Sequence, residues 1–184
     1  MGFPILQTAR LHLREILDSD VQVLFVIYGN ADAMKFFGLD PITKIEDAQK
    51  LVEIFRSWRS LPNPGVRWGI EHSEDKKLIG TCGLFKWNRN WKSCTIGYEL
   101  APEYWGKGFM SEALQVALKY GFGEMQLNRI EAQIHPQNSA SIQLAERLGF
   151  KNEGLMREAG FCFGQHHDLL MFSLLKGDLN EYRN

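Results

Sequence analysis

The residues with the clearest capacity for chemistry form a glycine turn, Trp105-Gly106-Lys107-Gly108-Phe109-Met110. A strand-like segment that stops at Pro102 precedes it, and a long amphipathic segment follows. The first turn of a helix has backbone N–H groups without intrahelical partners, and the helix dipole favours an anion there. Glycines let phosphate oxygens approach the backbone. The spacing indicates a phosphate-binding turn, with a plain strand-to-helix connection as the alternative.

The common nucleotide-binding patterns do not match this turn. A P-loop requires GxxxxGK followed by serine or threonine, and neither the spacing nor the ending is present. A dinucleotide-binding fingerprint requires a third glycine at the position that Ser111 occupies. The turn also follows a predicted antiparallel section, whereas the fingerprint follows a first parallel strand. The mononucleotide and dinucleotide interpretations are therefore excluded.

Length, charge and composition are those of an ordinary folded domain. The chain has 184 residues, 45% of them hydrophobic, which is enough for one domain with a substantial core. A net charge of −1 argues against a nucleic-acid surface, because such surfaces depend on basic residues. The longest apolar run, Val23–Tyr28, is far shorter than the ~20 residues of a membrane span. With no signal-peptide pattern at the N-terminus, a cytoplasmic protein that does not contact membranes is expected.

The three cysteines lack any paired spacing, so neither a disulfide framework nor a metal site is predicted. Free cysteines are usually buried, and we expect these to be buried strand residues, with a place in the active site as the alternative. They are Cys82, Cys94 and Cys162.

The elements that must position the turn alternate along the chain. Arg10–Arg14 has a period of two and is predicted as a strand. Asp18 or Ser19 can cap a helix that runs to about Tyr28. Thr43 and Glu46 fit a capping box. The helix that follows is predicted to carry one apolar face formed by Leu51, Ile54, Phe55 and Trp58.

The middle of the chain predicts an antiparallel section and then the helix that follows the glycine turn. Arg67–His72 and Lys77–Phe85 flank a polar turn and predict a hairpin, and Ser93–Leu100 predicts a further strand. The helix begins near Met110. Its apolar residues recur with helical spacing at Met110, Ala113, Leu114, Ala117, Leu118 and Gly121.

The last third of the chain predicts a strand, a helix and a closing hairpin. Arg129–His135 is the strand, and Asn138 is a suitable N-cap for a helix that ends at Gly149. Two final strands, near Glu153–Phe163 and Asp168–Leu175, flank a turn around Gly164. This order predicts a mixed α/β domain with a mostly antiparallel sheet of six or seven strands flanked by about four helices.

Several stretches together resemble a known family. Tyr104–Phe109 resembles the acetyl-CoA motif of the GNAT superfamily, and specifically of its Rim-type branch of ribosomal-protein N-acetyltransferases. Other stretches resemble that branch in the same order, namely Thr8–Arg14, Asn128–Ala132, Asn138–Ser141, Glu146–Phe150 and His166–Leu169. The resemblance spans about Thr8 to Lys176. It implies one domain over residues 8–176, with short extensions at 1–7 and 177–184, and a twisted GNAT-type sheet.

The resemblance also implies where acetyl-CoA binds. A V-shaped opening would separate the strand at Ser93–Leu100 from the strand at Arg129–His135, with the pantetheine arm inside it. The pyrophosphate would bind backbone amides of the glycine turn, and Asn138 and Ser141 would face the pantetheine and sulfur end. The implied cofactor-binding residues are Tyr98, Leu100, Trp105, Gly106, Lys107, Gly108, Phe109, Met110, Ser111, Asn138 and Ser141, and no metal is implied.

The sequence departs from the family pattern in and around the site. Trp105 replaces a usual arginine or glutamine, and Met110 replaces a usual small residue. We expect Met110 to pack beneath its helix, because it begins the apolar stripe. Thr95 stands where many members of the branch have glutamate, and Ala145 stands where many superfamily members have tyrosine.

Glu99 and Ser141 are the candidate catalytic residues. Glu99 lies on the same predicted strand as Thr95 and could act as the general base. Ser141 could hydrogen-bond the leaving thiolate, or it could only close the first turn of its helix. Glu71 and His72 are further candidates for the base, with a role at the sheet edge as the alternative. Hairpin residues predicted either to form a structural hydrogen-bond network or to line the cleft are His166, His167 and Asp168.

The implied function is transfer of the acetyl group of acetyl-CoA to a primary amine by direct attack in a ternary complex. The acceptor would be a protein N-terminus or a small molecule. An α-amino group, with a pKa near ~7.7–8.0, is partly neutral at pH 7 and requires less of a base than a lysine side chain at ~10.4. The alternatives are a non-catalytic acyl-CoA-binding domain and an interaction module without CoA affinity. A homodimer is a further prediction. Aromatic residues expected in the acceptor cleft or in the core are Trp58, Trp68, Phe85, Trp87 and Trp91.

Overall fold

The computed structural model describes residues 2–36 and 38–181. Its strands are β1 (Leu6–Gln7), β2 (Leu11–Arg14), β3 (Val66–His72), β4 (Leu78–Asn88), β5 (Ser93–Leu100), β6 (Arg129–Ile134), β7 (Lys151–Cys162) and β8 (Gln165–Leu175). Its α-helices are α1 (Val21–Gly29), α2 (Ala31–Met34), α3 (Ile45–Ser57), α4 (Phe109–Gly123), α5 (Ser139–Arg147) and α6 (Asp178–Glu181). Within these ranges the eight strands form one sheet in the order β1-β2-β3-β4-β5-β6-β8-β7.

The sheet confirms the predicted mixed α/β class. Every pair of neighbouring strands is antiparallel except β5 and β6, which are parallel. The predicted count of six or seven strands misses the two-residue strand β1, which pairs with β2 through Leu6↔Leu13 and Gln7↔His12. A strand this short has no periodicity that a sequence pattern could detect.

Helices pack on both faces of the sheet. Helix α4 lies on one face, where Leu11, Trp68 and Ile130 of the strands are fully buried. Helices α1 and α3 cover the other face around Leu24 and Val52. Burying each large apolar side chain contributes about 1.5–3 kcal/mol, so these two cores hold the sheet between the helices.

Helix α4 confirms its predicted apolar stripe. It begins at Phe109, directly after the glycine turn, and Met110 is buried beneath it as expected. The buried residues of α4 are Phe109, Met110, Ala113, Leu114, Ala117, Leu118, Gly121 and Phe122.

Helix α3 requires two corrections. The predicted capping box is wrong, because the N-cap is Lys44 and no side chain caps the helix. Lys44 is extended, with φ −131° and ψ 145°, so the helix begins one residue later than a Thr43 cap requires. The predicted apolar face is also partly wrong, because Ile54 is 47% exposed. The buried residues, spaced by four and then three positions, are Ala48, Val52 and Phe55.

The C-terminal third agrees with the sequence prediction. Asn138 caps α5, and its side-chain oxygen accepts a hydrogen bond from the Ser141 N–H at 3.1 Å. Gly149 follows α5 with φ 88°, in the left-handed region that favours glycine after a helix. The turn between β7 and β8 contains Phe163 and Gly164 at φ 51° and 71°.

Among the described residues, no helix has both the length and the apolar character needed to cross a membrane. Within the same ranges, no three His, Cys, Asp or Glu side chains lie close enough together to hold a metal ion. Cys82 and Cys94 are buried strand residues, as predicted, and burial raises the pKa of both thiols, to about 12 for Cys82. Cys162 is partly exposed and lies at the end of β7.

Candidate active site

A cleft opens where β5 and β6 separate. The two strands pair only from Ser93↔Arg129 to Thr95↔Glu131, after which β6 keeps β8 as its partner up to Ile134↔Leu170. Strand β5 instead continues along β4 to Leu100. The diverging strands form the predicted V-shaped opening. It contains a cavity of about 1160 Å³, which exceeds the roughly 300–1,000 Å³ of a typical small-molecule pocket.

The edge of β5 presents alternate backbone groups to this cleft. The Ala101 N–H donates to the Ile79 carbonyl at 2.9 Å, so Ala101 directs its backbone toward β4. The hydrogen-bonding direction alternates from residue to residue in an antiparallel ladder. Tyr98 and Leu100 therefore direct their N–H and C=O groups away from β4 and into the opening. Both backbones can bond an extended amide chain such as pantetheine.

The turn before α4 has the geometry of an anion-binding site. Gly106 and Gly108 have φ values of 72° and 78°, which glycine adopts without strain. A Cβ atom added at Gly106 would have no neighbouring atom within 4 Å, so open space lies beside it. Gly108 is the N-cap of α4 and provides no side chain for the first-turn N–H groups. These donors and the positive end of the helix dipole fit a pyrophosphate.

Arg10, just before β2, fixes this turn. Its guanidinium donates to the Lys107 carbonyl at 3.1 Å and forms an ion pair with Glu112 at 2.7 Å. The guanidinium carbon also lies 4.4 Å from the centroid of the Phe109 ring. Glu112 is in the first turn of α4, where an unpaired carboxylate would repel a phosphate. Its pairing with Arg10 offsets that repulsion.

All but one of the predicted cofactor residues lie on the cleft surface. They are Tyr98, Leu100, Trp105, Gly106, Gly108, Phe109, Met110, Ser111, Asn138 and Ser141. Lys107 is not part of that surface, because its ammonium lies 5.5 Å from the Tyr104 ring and its carbonyl accepts from Arg10. Trp105 donates its indole N–H to the Leu100 carbonyl at 2.7 Å, which ties the glycine turn to the end of β5.

The N-terminus of α5 meets β5 through a pair of hydroxyl groups. The side chains of Tyr98 and Ser141 are hydrogen-bonded to each other. Burial raises the pKa of Tyr98, and the bond with Ser141 opposes that rise. The backbone of Ser141 closes the first turn of α5, while the residue lies on the cleft surface. Its role toward the thiolate stays a prediction.

A buried polar network forms the cleft wall on the side of α1 and α3. The Glu99 carboxylate accepts hydrogen bonds from the Arg67 guanidinium, from the Thr81 hydroxyl and, at 2.8 Å, from the Tyr28 hydroxyl. The Arg67 Nε–H also donates to Thr81 Oγ1 at 2.7 Å. The Arg67 and Glu99 side chains are only 3% and 2% exposed. Burial raises the pKa of Glu99, and the ion pair and the two hydroxyl donors oppose that rise.

Glu99 thus lies in the cleft wall, and three donors already occupy its carboxylate. A carboxylate offers about four lone-pair positions, so an additional donor could still bind. The predicted general-base role stays a prediction. Thr95, where the branch often has glutamate, is also on the cleft surface but is buried and carries no ionisable group.

Two histidines line the cleft on the side of β6 and β8. The rings of His135 and His167 have centroids 5.3 Å apart, and the Phe36 ring stacks on His135 at 4.9 Å. The Nε2 atom of His167 lies 3.2 Å from the Cys162 carbonyl, so its N–H donates to that oxygen. Burial, His167 and Lys35 together lower the pKa of His135. His167 therefore belongs both to the hairpin network and to the cleft lining.

The remaining candidate residues differ in whether they line the cleft. Glu71 pairs with Arg14 at 2.6 Å and His72 contacts Asp75 at 3.0 Å, and both lie outside the cleft lining, which removes them as bases. Asp168 accepts a hydrogen bond from the Glu158 N–H, as a hairpin network requires.

Of the five aromatic candidates for the acceptor cleft, those that line it are Trp58 and Phe85. The other three, Trp68, Trp87 and Trp91, lie outside the cleft lining. Trp68 is fully buried in the core, whereas the side chain of Trp91 is 79% exposed.

Sequence reasoning missed four residues that line the cleft or belong to the polar network behind it. Three of them, Tyr28, Arg67 and Thr81, lie on α1, β3 and β4, and only the sheet register brings Thr81 opposite Glu99. No sequence spacing connects them. His135 had a usable signal, because it is the last residue of the strand predicted to line the opening.

Protonation of His135 is expected to oppose folding. Its pKa in the folded chain is below the ordinary value of 6.5, so the unfolded chain binds the proton more readily as the pH falls through that value. The free energy of unfolding should decrease below about pH 6.5, and His135→Gln should make that decrease less steep. Urea unfolding at a series of pH values measures this, with the exposed His166→Gln as the control. Identical pH profiles for the wild type and His135→Gln would contradict it.

Comparisons with known proteins agree with this geometry. The family model of the acetyltransferase (GNAT) domain matches residues 10–151. The N-acetyltransferase YoaA of Bacillus subtilis (strain 168), itself uncharacterized, is 36% identical over 174 residues, covering 95% of this chain and 98% of YoaA. The structure of RimL, a ribosomal L7/L12 α-N-protein acetyltransferase, in complex with coenzyme A has a TM-score of 0.83 and 25% identity, covering 94% of this chain and 98% of RimL. The structure of spermidine N-acetyltransferase from Vibrio cholerae in complex with CoA and spermine has a TM-score of 0.80 and 25% identity, covering 93% of this chain and 98% of that enzyme's chain.

The V-shaped opening, the glycine turn at the N-terminus of α4 and the family match all support one assignment. The implied ligand is acetyl-CoA, whose pyrophosphate and pantetheine match the donors described above. The likeness to RimL, at 25% identity over 94% of this chain, agrees with the resemblance to the Rim-type branch. The chain therefore belongs to the GNAT acetyltransferase family and is an acetyl-CoA-dependent N-acetyltransferase.

Proposed function

We propose that this enzyme transfers the acetyl group of acetyl-CoA directly to a primary amine while both substrates are bound. The acceptor is either the α-amine of a protein N-terminus or the amine of a small molecule. The observation that carries the proposal is the continuity of the cleft. A single cavity extends from the glycine turn to the buried polar network and the two histidines. RimL and spermidine N-acetyltransferase, both similar in fold, are named for acceptors of these two kinds.

Acetyl-CoA supplies the acetyl thioester. In the reaction a bond forms between the amine nitrogen and the carbonyl carbon, and the bond from that carbon to sulfur breaks. The amine must lose one proton, and the departing thiolate must gain one. The chain's part is to hold both substrates in line and to provide donors and acceptors for these protons.

Ser141 is proposed as the donor toward the thiolate, since it lies on the cleft surface in the first turn of α5. Its side chain also interacts with that of Tyr98 on the β5 side. Glu99 is proposed to act at the acceptor side, either as the base or by orienting the amine, because its network forms that wall. A homodimer, a cytoplasmic location and the lack of nucleic-acid binding stay predictions.

Ser141→Ala is expected to lower kcat by about tenfold to a hundredfold while CoA affinity changes little, because one proton donor contributes about that much. Ser57→Ala is the matched control, because Ser57 lies at the exposed end of α3 and its hydroxyl donates to the Ile54 carbonyl of its own helix. Steady-state rates and calorimetric titration with CoA measure the two effects separately. An unchanged kcat in Ser141→Ala would contradict the donor role.

Initial-rate kinetics test the proposed function. Acetyl-CoA and an amine are varied together, and the acetylated product is identified by mass spectrometry. Direct attack predicts intersecting double-reciprocal lines. Parallel lines and an acetylated form of the enzyme would contradict direct attack, and the absence of any acetylated amine would contradict the whole proposal.

A further inference from the structure

We propose that the acceptor is a primary amine whose neighbouring groups are neutral or anionic, and that the cleft discriminates against polyamines by charge. This inference rests on the proposed function and specifies its substrate class. It concerns the acceptor half of the cleft, defined here as the lining from α1 to α3, from β3 to β5 on the same face, and from the β7–β8 hairpin. The cofactor half is the lining from the glycine turn and α5.

The charges of the acceptor half are mostly positive. Arg67 and Glu99 neutralise each other as a buried ion pair. Of the other described residues of this lining, Lys35 and Lys86 are cationic and Asp32 alone is an ionised carboxylate. A polyamine keeps at least one further ammonium beside the reacting amine, and it would find a single carboxylate to pair with.

Three aromatic rings of this lining, those of Phe36, Phe55 and Trp58, already face cations of the enzyme itself. Cations are attracted to the faces of aromatic rings within about 6 Å of the centroid. The Arg67 guanidinium carbon already lies 5.2 Å from the Phe55 centroid and 5.9 Å from the Trp58 centroid. The Lys35 ammonium lies 5.1 Å from the Phe36 centroid. A second cation at any of these three rings would therefore meet like charge.

Lys86 is the most distinctive of these cations. It lies in the irregular part of β4 between Phe85 and Asn88 and has φ 56°. The left-handed conformation costs a residue other than glycine roughly 1–2 kcal/mol. Such strain is frequent at functional sites. Lys86 is exposed, and among the described residues no carboxylate pairs with it, so its ammonium is available to an anionic group of the acceptor.

The same positive lining assists the chemistry. A positive environment disfavours the ammonium form of a bound amine and so favours the neutral nucleophile. An amine beside a carboxylate or a peptide carbonyl would bind with its anionic or polar group toward Lys86. This arrangement lessens the need for a strong base, in a site where Thr95 replaces the glutamate and Glu99 is already paired.

The test compares acceptors that differ in charge. Two tetrapeptides identical except for glutamate or lysine at the second position are assayed beside free phenylalanine and spermidine. The phenylalanine and peptide results distinguish a small molecule from a protein N-terminus as the source of the amine. The wild type should show kcat/KM at least about tenfold higher for the glutamate peptide than for the lysine peptide or spermidine, as like-charge contacts at an interface predict.

Lys86→Glu should reduce or reverse this preference, whereas Lys119→Glu should leave it unchanged. The Lys119→Glu variant makes the same change of charge on the exposed surface of α4, away from the cleft. Spermidine or the lysine peptide used as well as the glutamate peptide would overturn the inference and leave the proposed function intact. So would an unaltered preference in a folded Lys86→Glu variant. Failure to acetylate any amine would instead contradict the proposed function.

Discussion

Gly108→Val is expected to weaken CoA binding by about a hundredfold or more. Gly108 has φ 78° and is the N-cap of α4, beside the N–H groups that fit the pyrophosphate. Valine would be strained in this conformation, and a helix start that shifts to relieve the strain would lose charge-assisted hydrogen bonds. The left-handed conformation costs a residue other than glycine roughly 1–2 kcal/mol, and each lost hydrogen bond to the charged pyrophosphate costs about 1.5–3 kcal/mol. Because about 1.4 kcal/mol corresponds to a tenfold change in affinity, the combined loss predicts a weakening of about a hundredfold or more.

Gly123→Val is the matched control for this prediction. Gly123 ends α4, is exposed, and would place its added Cβ more than 4 Å from any neighbouring atom, without a left-handed φ. Calorimetric titration with CoA measures both variants, and thermal unfolding shows whether each is folded. Wild-type affinity in Gly108→Val would mean that the turn does not bind the pyrophosphate.

Glu99→Ala is expected to reduce the free energy of unfolding by about 3–5 kcal/mol, because it leaves the Arg67 guanidinium buried without its counter-charge. The two side chains are almost fully buried, so solvent cannot replace the lost carboxylate. Urea unfolding measures the loss. Glu124→Ala, a change in an exposed glutamate just after α4, should have little effect.

A double variant shows whether the loss of stability comes from the unpaired Arg67 charge or from other effects of replacing Glu99. Arg67→Met combined with Glu99→Leu removes both charges, and it should recover much of the stability that Glu99→Ala loses, because apolar residues often replace a buried ion pair without net loss. A Glu99→Ala protein as stable as the wild type would contradict the ion-pair account.

Glu99→Gln addresses the chemistry of the same residue, because it keeps the shape of the side chain and removes its charge. If Glu99 is the base, kcat/KM should fall and lose its acidic limb in the pH profile even where the variant is fully folded. If Glu99 only supports the wall, activity per folded molecule should keep its pH profile.

Features that depend on a continuous stretch of sequence were predictable. The glycine turn, the stripe of α4 beginning at Met110 and the Asn138 cap are each set by neighbours along the chain. The sequence order of strands and helices then indicated the opening beside Ser93–Leu100, because the resemblance supplied the topology. These are the parts of the site to which the proposal assigns the cofactor.

Features that depend on three-dimensional register were not predictable. Arg67 and Glu99 are distant in sequence, and only the pairing of β3 with β4 and of β4 with β5 brings them together. The start of α3 at Ile45 depends on the extended backbone of Lys44, which overrode a good capping-box pattern. The acceptor wall is assembled in this way, so little about the acceptor could be predicted from the order of residues alone.

The most direct test of the central claim measures CoA binding and acetyl transfer on the same preparation. Wild-type protein and Gly108→Val are each incubated with labelled acetyl-CoA and the amine panel, and CoA affinity is determined by calorimetry. The account predicts that the wild type binds CoA and acetylates at least one amine, and that both properties decline together in Gly108→Val. Tight CoA binding without transfer to any amine would contradict it and would favour a non-catalytic acyl-CoA-binding domain.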